Sequence, residues 1–113
     1  MMAEKKFFGL DNKRYETEQI VQELDISYRF IMWNLIDVLR EHMELDSLQI
    51  FEFVCENKSG VINNKTFKQR LIHRQEEPAY AKEYDFPSHT CINCRVYVRD
   101  NGEYCCMMFD DEA

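Results

Sequence analysis

The stretch Ile26 to His42, ISYRFIMWNLIDVLREH, decides the fold. At about 100 degrees per residue, Tyr28, Ile31, Met32, Leu35, Ile36, Val38 and Leu39 fall on one continuous apolar arc, which predicts a long amphipathic helix needing a sheet or a second helix over that arc. The opposite arc carries Ser27, Arg29, Asn34, Asp37, Arg40 and Glu41, the composition of a wet face. Ile26, Phe30 and Trp33 interrupt it, so three large apolar groups point away from the expected core. Either the N-terminal segment, through Phe7, Phe8 and Leu10, folds back over them, or Phe30 and Trp33 anchor a partner or a dimer mate. The covering segment is the simpler expectation, since outliers on a helical wheel commonly sit in satellite cores under loops.

Moving toward the N-terminus, residues 1 to 13 show no period and are expected as a loosely held lead-in. Residues 14 to 113 form the single domain that a chain of this length supports. Arg14 to Thr17 suits a short strand, Glu18 to Leu24 one or two helical turns, and Asp25 the N-cap of the long helix. Arg40 and His42 stand in the last turn, the favourable end of the helix dipole for positive charge.

Beyond the helix the period changes. SLQIFEFVC, Ser47 to Cys55, sets Leu48, Ile50 and Val54 on one face and Phe51, Phe53 and Cys55 on the other, as expected of a central strand. Gly60 and Asn63-Asn64 mark a connection. Thr66 to Arg74 alternates Phe67, Gln69, Leu71 and His73 against Lys68, Arg70, Ile72 and Arg74, a second strand with one wet face. Gln75 to Pro78 is expected to leave the ladder, because Pro78 has no N–H. Ala79 to Phe86 reads as a short edge strand ended by Pro87-Ser88. Ile92 to Arg99 and Glu103 to Phe109 flank Asn101-Gly102, whose two-residue loop predicts Val98 opposite Cys105 and Val96 opposite Met107. With Phe109 these residues form one core face. The fold class is α+β, a mainly antiparallel sheet of four or five strands with one long helix on one face.

Fourteen basic and twenty-one acidic residues give a net charge of −7, which opposes general nucleic-acid binding. Acidic residues gather at the C-terminal DDEA and across Glu41, Glu44, Asp46, Glu52 and Glu56, a surface expected to serve solubility. The apolar runs are too short for a membrane span, and MMAEKKFFGL lacks the pattern of a signal peptide. These features predict a cytoplasmic protein with reduced thiols.

Five cysteines, at 55, 91, 94, 105 and 106, raise a zinc reading, since Cys91-Ile-Asn-Cys94 has knuckle spacing with His89 close by. Residues three apart on an extended strand point to opposite faces, and neighbouring Cys105 and Cys106 do the same, so small buried hydrophobes are the expectation, with no metal and no cofactor. A disulfide is expected even less. The densest polar cluster runs His73-Arg74-Gln75-Glu76-Glu77-Pro78-Ala79-Tyr80, with Glu83 and Tyr84 following. His73, Glu76 and Tyr80 include the groups of a general acid–base site. No nucleophile elbow, phosphate loop, zincin helix or dinucleotide fingerprint accompanies them. The cluster therefore reads as a polar surface patch, with Arg74, Glu77 and Tyr84 as further contact residues.

Several motifs in order, namely Arg14-Tyr15-Glu16-Thr17, Met32-Trp33-Asn34-Leu35-Ile36-Asp37, Leu48-Gln49-Ile50-Phe51-Glu52, Ile72-His73-Arg74-Gln75-Glu76-Glu77-Pro78 with Tyr80 and Lys82-Glu83-Tyr84, and Gly102-Glu103-Tyr104 before Met107-Met108, resemble a family of small bacterial proteins. It is the staphylococcal family of unknown function, domain of unknown function 960, of Firmicutes and their phages. The resemblance implies no activity, substrate or catalytic residue. Ser-Thr-like residues where this chain has Cys105-Cys106 weaken the zinc reading, and a proline where it has Asp25 agrees with a helix start. The Asn-rich loop and Cys91 to Cys94 depart from the family pattern. The expectation is a non-enzymatic protein-binding module, with a protein partner or homodimer, carried by a phage or mobile element. Its rivals are an acidic inhibitor of a host nucleic-acid-binding defence protein, a zinc-stabilised domain and a small hydrolase.

Overall fold

The computed structural model describes residues 8–9, 12–56, 67–88 and 90–113. The elements run β1 (Lys13–Glu16), α1 (Glu18–Glu23), α2 (Ile26–Arg40), β2 (Leu48–Glu56), β3 (Phe67–Gln75), β4 (Tyr80–Ser88), β5 (Cys94–Asp100) and β6 (Tyr104–Phe109), closed by a 3-10 turn at Asp110–Glu112. Both predicted helices form. Thr17 caps α1 by accepting from the Ile20 amide, and Asp25 caps α2 by accepting from the Ser27 amide. That second bond, together with the Ser27 hydroxyl, holds the Asp25 carboxyl below its usual range. Arg40 stands in the last turn of α2, and His42 lies past its end.

Among the described residues the sheet has six strands in the order β1-β6-β5-β2-β3-β4, and it is mixed: β1 runs parallel to β6 while the other pairs are antiparallel. This corrects the expectation of four or five antiparallel strands. The miscount comes from pairing across the sequence: β1 is four residues long and meets a strand about ninety positions away, a contact no local pattern announces. β2 is central as expected, and β4 is an edge, longer than expected because it carries on through Pro87 and Ser88. An edge strand tolerates a proline whose missing N–H would face outward. Gln75 stays in the ladder opposite Tyr80, so the turn is residues 76 to 79, with a cis Glu77–Pro78 bond.

The β5–β6 hairpin also differs. Val98 faces Met107, Val96 faces Phe109 and Asp100 faces Cys105, two residues away from the predicted register. The loop is longer because side chains build it: Asp100 Oδ1 accepts from the Gly102 amide at 2.6 Å, and Asn101 Oδ1 accepts from the Glu103 and Tyr104 amides at 2.9 and 3.0 Å. Gly102 takes φ 96°, a conformation in which it has no Cβ to clash. A two-residue slip leaves every side chain on its face, so Val96, Val98, Cys105, Met107 and Phe109 are all buried as expected.

α2 lies over the face that presents Phe51, Phe53, Leu71, Val96, Val98 and Met107, and buries Tyr28, Met32, Ile36 and Leu39 there. Ile31 and Leu35 are half-buried. Val38, expected on the core arc, is exposed, because the covered stripe is narrower than the apolar arc of the wheel. Among the described residues no helix lies on the opposite sheet face. On it Lys68 and Arg70 pair with Glu56 and Asp85, and Arg74 and Arg95 pair with Glu52, the ordinary way for a one-sided sheet to meet water.

Phe8, within the segment expected as a loose lead-in, is fully buried, and its backbone is held at both ends: its amide donates to Asp100 Oδ2 and its carbonyl accepts from Arg40. Phe7, Leu10 and the Gly60 and Asn63-Asn64 connection lie outside the described residues.

Cys55 and Cys91 form a disulfide, overturning the expectation of reduced cysteines throughout. Their Cα atoms lie 5.3 Å apart, where the end of β2 passes the segment leading into β5. Closing a loop of 36 residues removes chain entropy worth about 4 kcal/mol from the unfolded state. Reduction, or Cys55→Ser, is expected to lower unfolding free energy by up to that amount in denaturant titrations, with the same fold retained below the transition.

Candidate protein-binding surface

β1 and the two helices meet in an open depression of about 510 Å³ lined by Arg14, Tyr15, Glu16, Val21, Phe30, Trp33, Asn34 and Asp37. Its construction begins with alternation in β1. Arg14 and Glu16 stand opposite Cys105 and Met107, whose side chains face the helices, so they reach toward α2, while Tyr15 turns to the open face. Glu16 takes two bonds from α2: Arg29 Nη1 donates at 2.7 Å and the Trp33 indole N–H at 3.0 Å. Arg29 Nε also donates to the Leu24 carbonyl at 3.1 Å, which fixes the turn between α1 and α2. Arg14 pairs with Asp37, donating to Oδ2 at 3.1 Å, and its guanidinium lies 4.9 Å from the centre of the Trp33 ring.

Trp33 is therefore half-covered and locked, with its N–H satisfied and one ring face occupied. Phe30, one turn earlier, is 66% exposed, and Val21 on α1 is 49% exposed beside it. Trp33 is thus covered by Arg14 and Glu16 of β1, whereas Phe30 is exposed; of the segment expected to fold over them, Phe7 and Leu10 lie outside the described residues. Ile26 is also exposed. Around the edge of β1, Tyr15 packs edge-on against Tyr104 with centroids 5.5 Å apart, and both remain more than 40% exposed.

The second candidate patch does not assemble. His73 is fully buried on the helix-facing side of β3, stacked on Phe51 at 4.4 Å with Tyr80 edge-on at 5.6 Å. Its place follows from the alternation that sets it on the same face as Leu71, a signal present in the sequence. Arg74 points to the open face and pairs with Glu52. Glu76 and Glu77 are exposed on the turn, Tyr80 and Tyr84 are half-buried against the core, and Lys82 lies 5.3 Å from the Tyr84 ring. Burial and the neighbouring Tyr80 push the Tyr84 hydroxyl up to about 12. A buried histidine, two solvated carboxylates on a turn and half-buried tyrosines do not converge on a point that substrate can reach, so His73 is corrected from a contact residue to a core residue.

His73 instead belongs to a buried polar row that sequence reading missed. Gln49 Nε2 donates to Gln75 Oε1 at 2.8 Å and to the Asp46 carbonyl at 3.0 Å, leaving Gln49 Oε1 to accept from His73 Nε2 at 2.7 Å. This fixes the Nε2–H tautomer and leaves Nδ1 without a hydrogen-bond partner. Gln75 further binds the Asp46 amide and the Glu44 and Pro78 carbonyls, joining the turn after α2 to the β3–β4 turn. Gln69 does the same for the segment before β5 through Ile92.

The metal candidates are scattered as well. Cys91 is in the disulfide, while Cys94 and Cys105 lie at opposite ends of the β5–β6 hairpin, six residues or about 20 Å apart along the strand. Burial, with Asp110 and Glu23 nearby, raises the Cys94 thiol to about 11. Burial and the Asp100 carboxylate raise Cys105 to about 12, and burial raises Cys106. Thiols so shifted stay protonated and disfavour metal ligation and nucleophilic chemistry alike. His89 lies outside the described residues, and among those described no group of three potential ligands gathers.

Desolvation lowers His73 from 6.5 to about 4. A group depressed in the folded state binds fewer protons there than in the unfolded chain, so stability is undiminished above the unfolded value and is lost as pH falls from 6.5 toward 4, where the unfolded chain takes up a proton that the folded one does not. The loss approaches about 3 kcal/mol. Over that interval, wild-type stability measured by urea titration is expected to fall more steeply than that of His73→Met. Parallel curves would place the imidazole in water.

Among the described residues no helix is long and apolar enough to cross a membrane. No curated protein matches the chain. A crystal structure of a protein of unknown function from Enterococcus faecalis is similar to it, with 21% identity, a TM-score of 0.69, and 99% of this chain and 98% of that one covered. This likeness shows a shared fold. Residues 13–112 match the sequence profile of the staphylococcal proteins of unknown function (DUF960), and the chain belongs to that family.

Proposed function

We propose that the protein is a non-enzymatic binding module that captures a protein partner on the depression beside Phe30. The observation that supports this reading is the contrast between two neighbours on α2. Trp33 is held by Glu16 and Arg14, whereas Phe30 leaves two-thirds of its surface in water. An exposed aromatic anchor beside a neighbour already locked by hydrogen bonds is the anatomy of a binding hot spot, since little side-chain entropy remains to be lost on docking. Val21 and Tyr15 extend the apolar area around it, and the charges of Arg14, Asp37 and Glu16 form a polar rim, with Arg29 pairing Glu16 from behind.

The Phe30 side chain is mostly exposed and contributes little to the core, so Phe30→Glu is expected to leave the melting temperature nearly unchanged. Immobilised wild-type protein and the Phe30→Glu variant would be exposed to lysate of the source organism, with Glu76→Lys as a control on the distant turn. Partners retained by wild type and by the control are expected to fall on the order of tenfold or more on the Phe30 variant. Equal retention on all three proteins would remove this surface from consideration.

A further inference from the structure

The outer edge of β1 pairs with no strand among the described residues. The Thr17 amide donates to the Met107 carbonyl at 3.1 Å, so the odd-numbered residues of this segment turn their backbone groups toward β6. The N–H and C=O groups of Arg14 and Glu16 consequently point outward. Exposed apolar groups flank that edge on both sides: Phe30 and Val21 on the helix side, Tyr15 and Tyr104 on the open side. An added strand places successive side chains on alternate faces, and here both faces have something to receive them.

We propose that the occupant is a second copy of this chain, its β1 pairing antiparallel with the first about a two-fold axis through Tyr15. The proposal rests on the reading of the Phe30 surface as a docking site and names its occupant. In this register Arg14 lies directly opposite Glu16 of the second copy, and Glu16 opposite Arg14. The outward groups of those residues then exchange four hydrogen bonds, and no outward group is left over. The side chains follow: directly opposed residues share a face, so each Arg14 meets a Glu16 and extends the existing pairs into an alternating row, Asp37, Arg14, Glu16 of the second copy, Arg29 of the second copy. The two Tyr15 rings meet on the open face and the two Phe30 surfaces approach on the helix side.

The opposite edge does not offer this. Two-fold pairing of β4 about residue 82, 83 or 84 opposes Lys82 with Lys82, Glu83 with Glu83, or Glu83 with Asp85, and Pro87 removes a donor. Covering Phe30, Val21, Tyr15 and Tyr104 in both copies buries on the order of 800 Å², taking about 100 Å² for each side chain. That is below the area of stable complexes, so the pair is weak and forms only as concentration rises.

Sedimentation equilibrium from about 10 μM to 1 mM tests this. The wild-type mass is expected to rise from 13.7 kDa toward twice that value. Arg14→Glu alone and Glu16→Arg alone place like charges opposite each other, and each is expected to weaken self-association more than about tenfold. Mixed together they are complementary at both contacts and are expected to form a heterodimer. A wild-type chain that stays monomeric, single variants that dimerise as well as wild type, or a mixture that stays monomeric while both variants remain folded would each overturn the proposal. Should either charge variant fail to fold, Phe30→Glu, at an exposed position, takes its place, and undiminished dimerisation of that variant overturns it as well. Phe30-dependent capture by a monomeric wild type would sink the dimer and leave the docking reading standing.

Discussion

The carboxylate of Glu16 ties the edge of the sheet to the long helix, and the geometry of the candidate surface depends on that tie. One oxygen accepts from Arg29 and the other from the indole of Trp33. Arg29 and Glu16 are both mostly shielded from water, where a charge-assisted bond is stronger than at an exposed site and an abandoned partner costs about 1–3 kcal/mol. With Glu16 in place, β1 cannot slide along β6 without breaking contacts to α2, and Arg14 is carried over the Trp33 ring. Phe30, beyond the reach of these contacts, stays exposed.

A similar economy of polar contacts holds the rest of the fold. Asp100, almost wholly buried, collects the amides of Phe8 and Gly102 and the Asn12 side chain, so one carboxylate shapes the β5–β6 loop and anchors the N-terminal segment to it. Gln49, Gln69 and Gln75 fasten the connections at the sheet's ends, and His73 completes their row on its neutral side. The interior is therefore not uniformly apolar: hydrophobic burial fixes α2 on the sheet, and buried amides and one acid fix the turns.

What could be read in advance follows the range of each signal. The two helices, the Asp25 cap of the second and the central position of β2 rest on spacing within a dozen residues, and all of them form, whereas the Thr17 cap of α1 was not foreseen. The β5–β6 hairpin was legible in its faces and not in its register, because a slip of two residues preserves the face while Asp100 and Asn101 build a longer loop. The parallel pairing of β1 with β6 depends on residues far apart and had no local mark. The disulfide was missed by arguing from compartment before geometry: Cys55 and Cys91 sit on neighbouring segments only once β2 and β5 pair. His73 illustrates the opposite error, since its alternation with Leu71 and Gln69 already assigned it to the core while its polar neighbours along the chain suggested a surface patch. Of the two aromatics singled out on α2, Phe30 is the exposed one and Trp33 is held by Glu16 and Arg14 in the lining of the same depression.

Trp33 is the single tryptophan of the chain, so its indole N–H gives one isolated resonance in a nitrogen–proton correlation spectrum. In the wild type this proton is expected to exchange slowly with solvent, and Glu16→Ala is expected to speed its exchange and move its shift toward that of free indole. An indole that exchanges freely in the wild type, or one unmoved by loss of the carboxylate, would contradict the claim that Glu16 locks β1 to the helix.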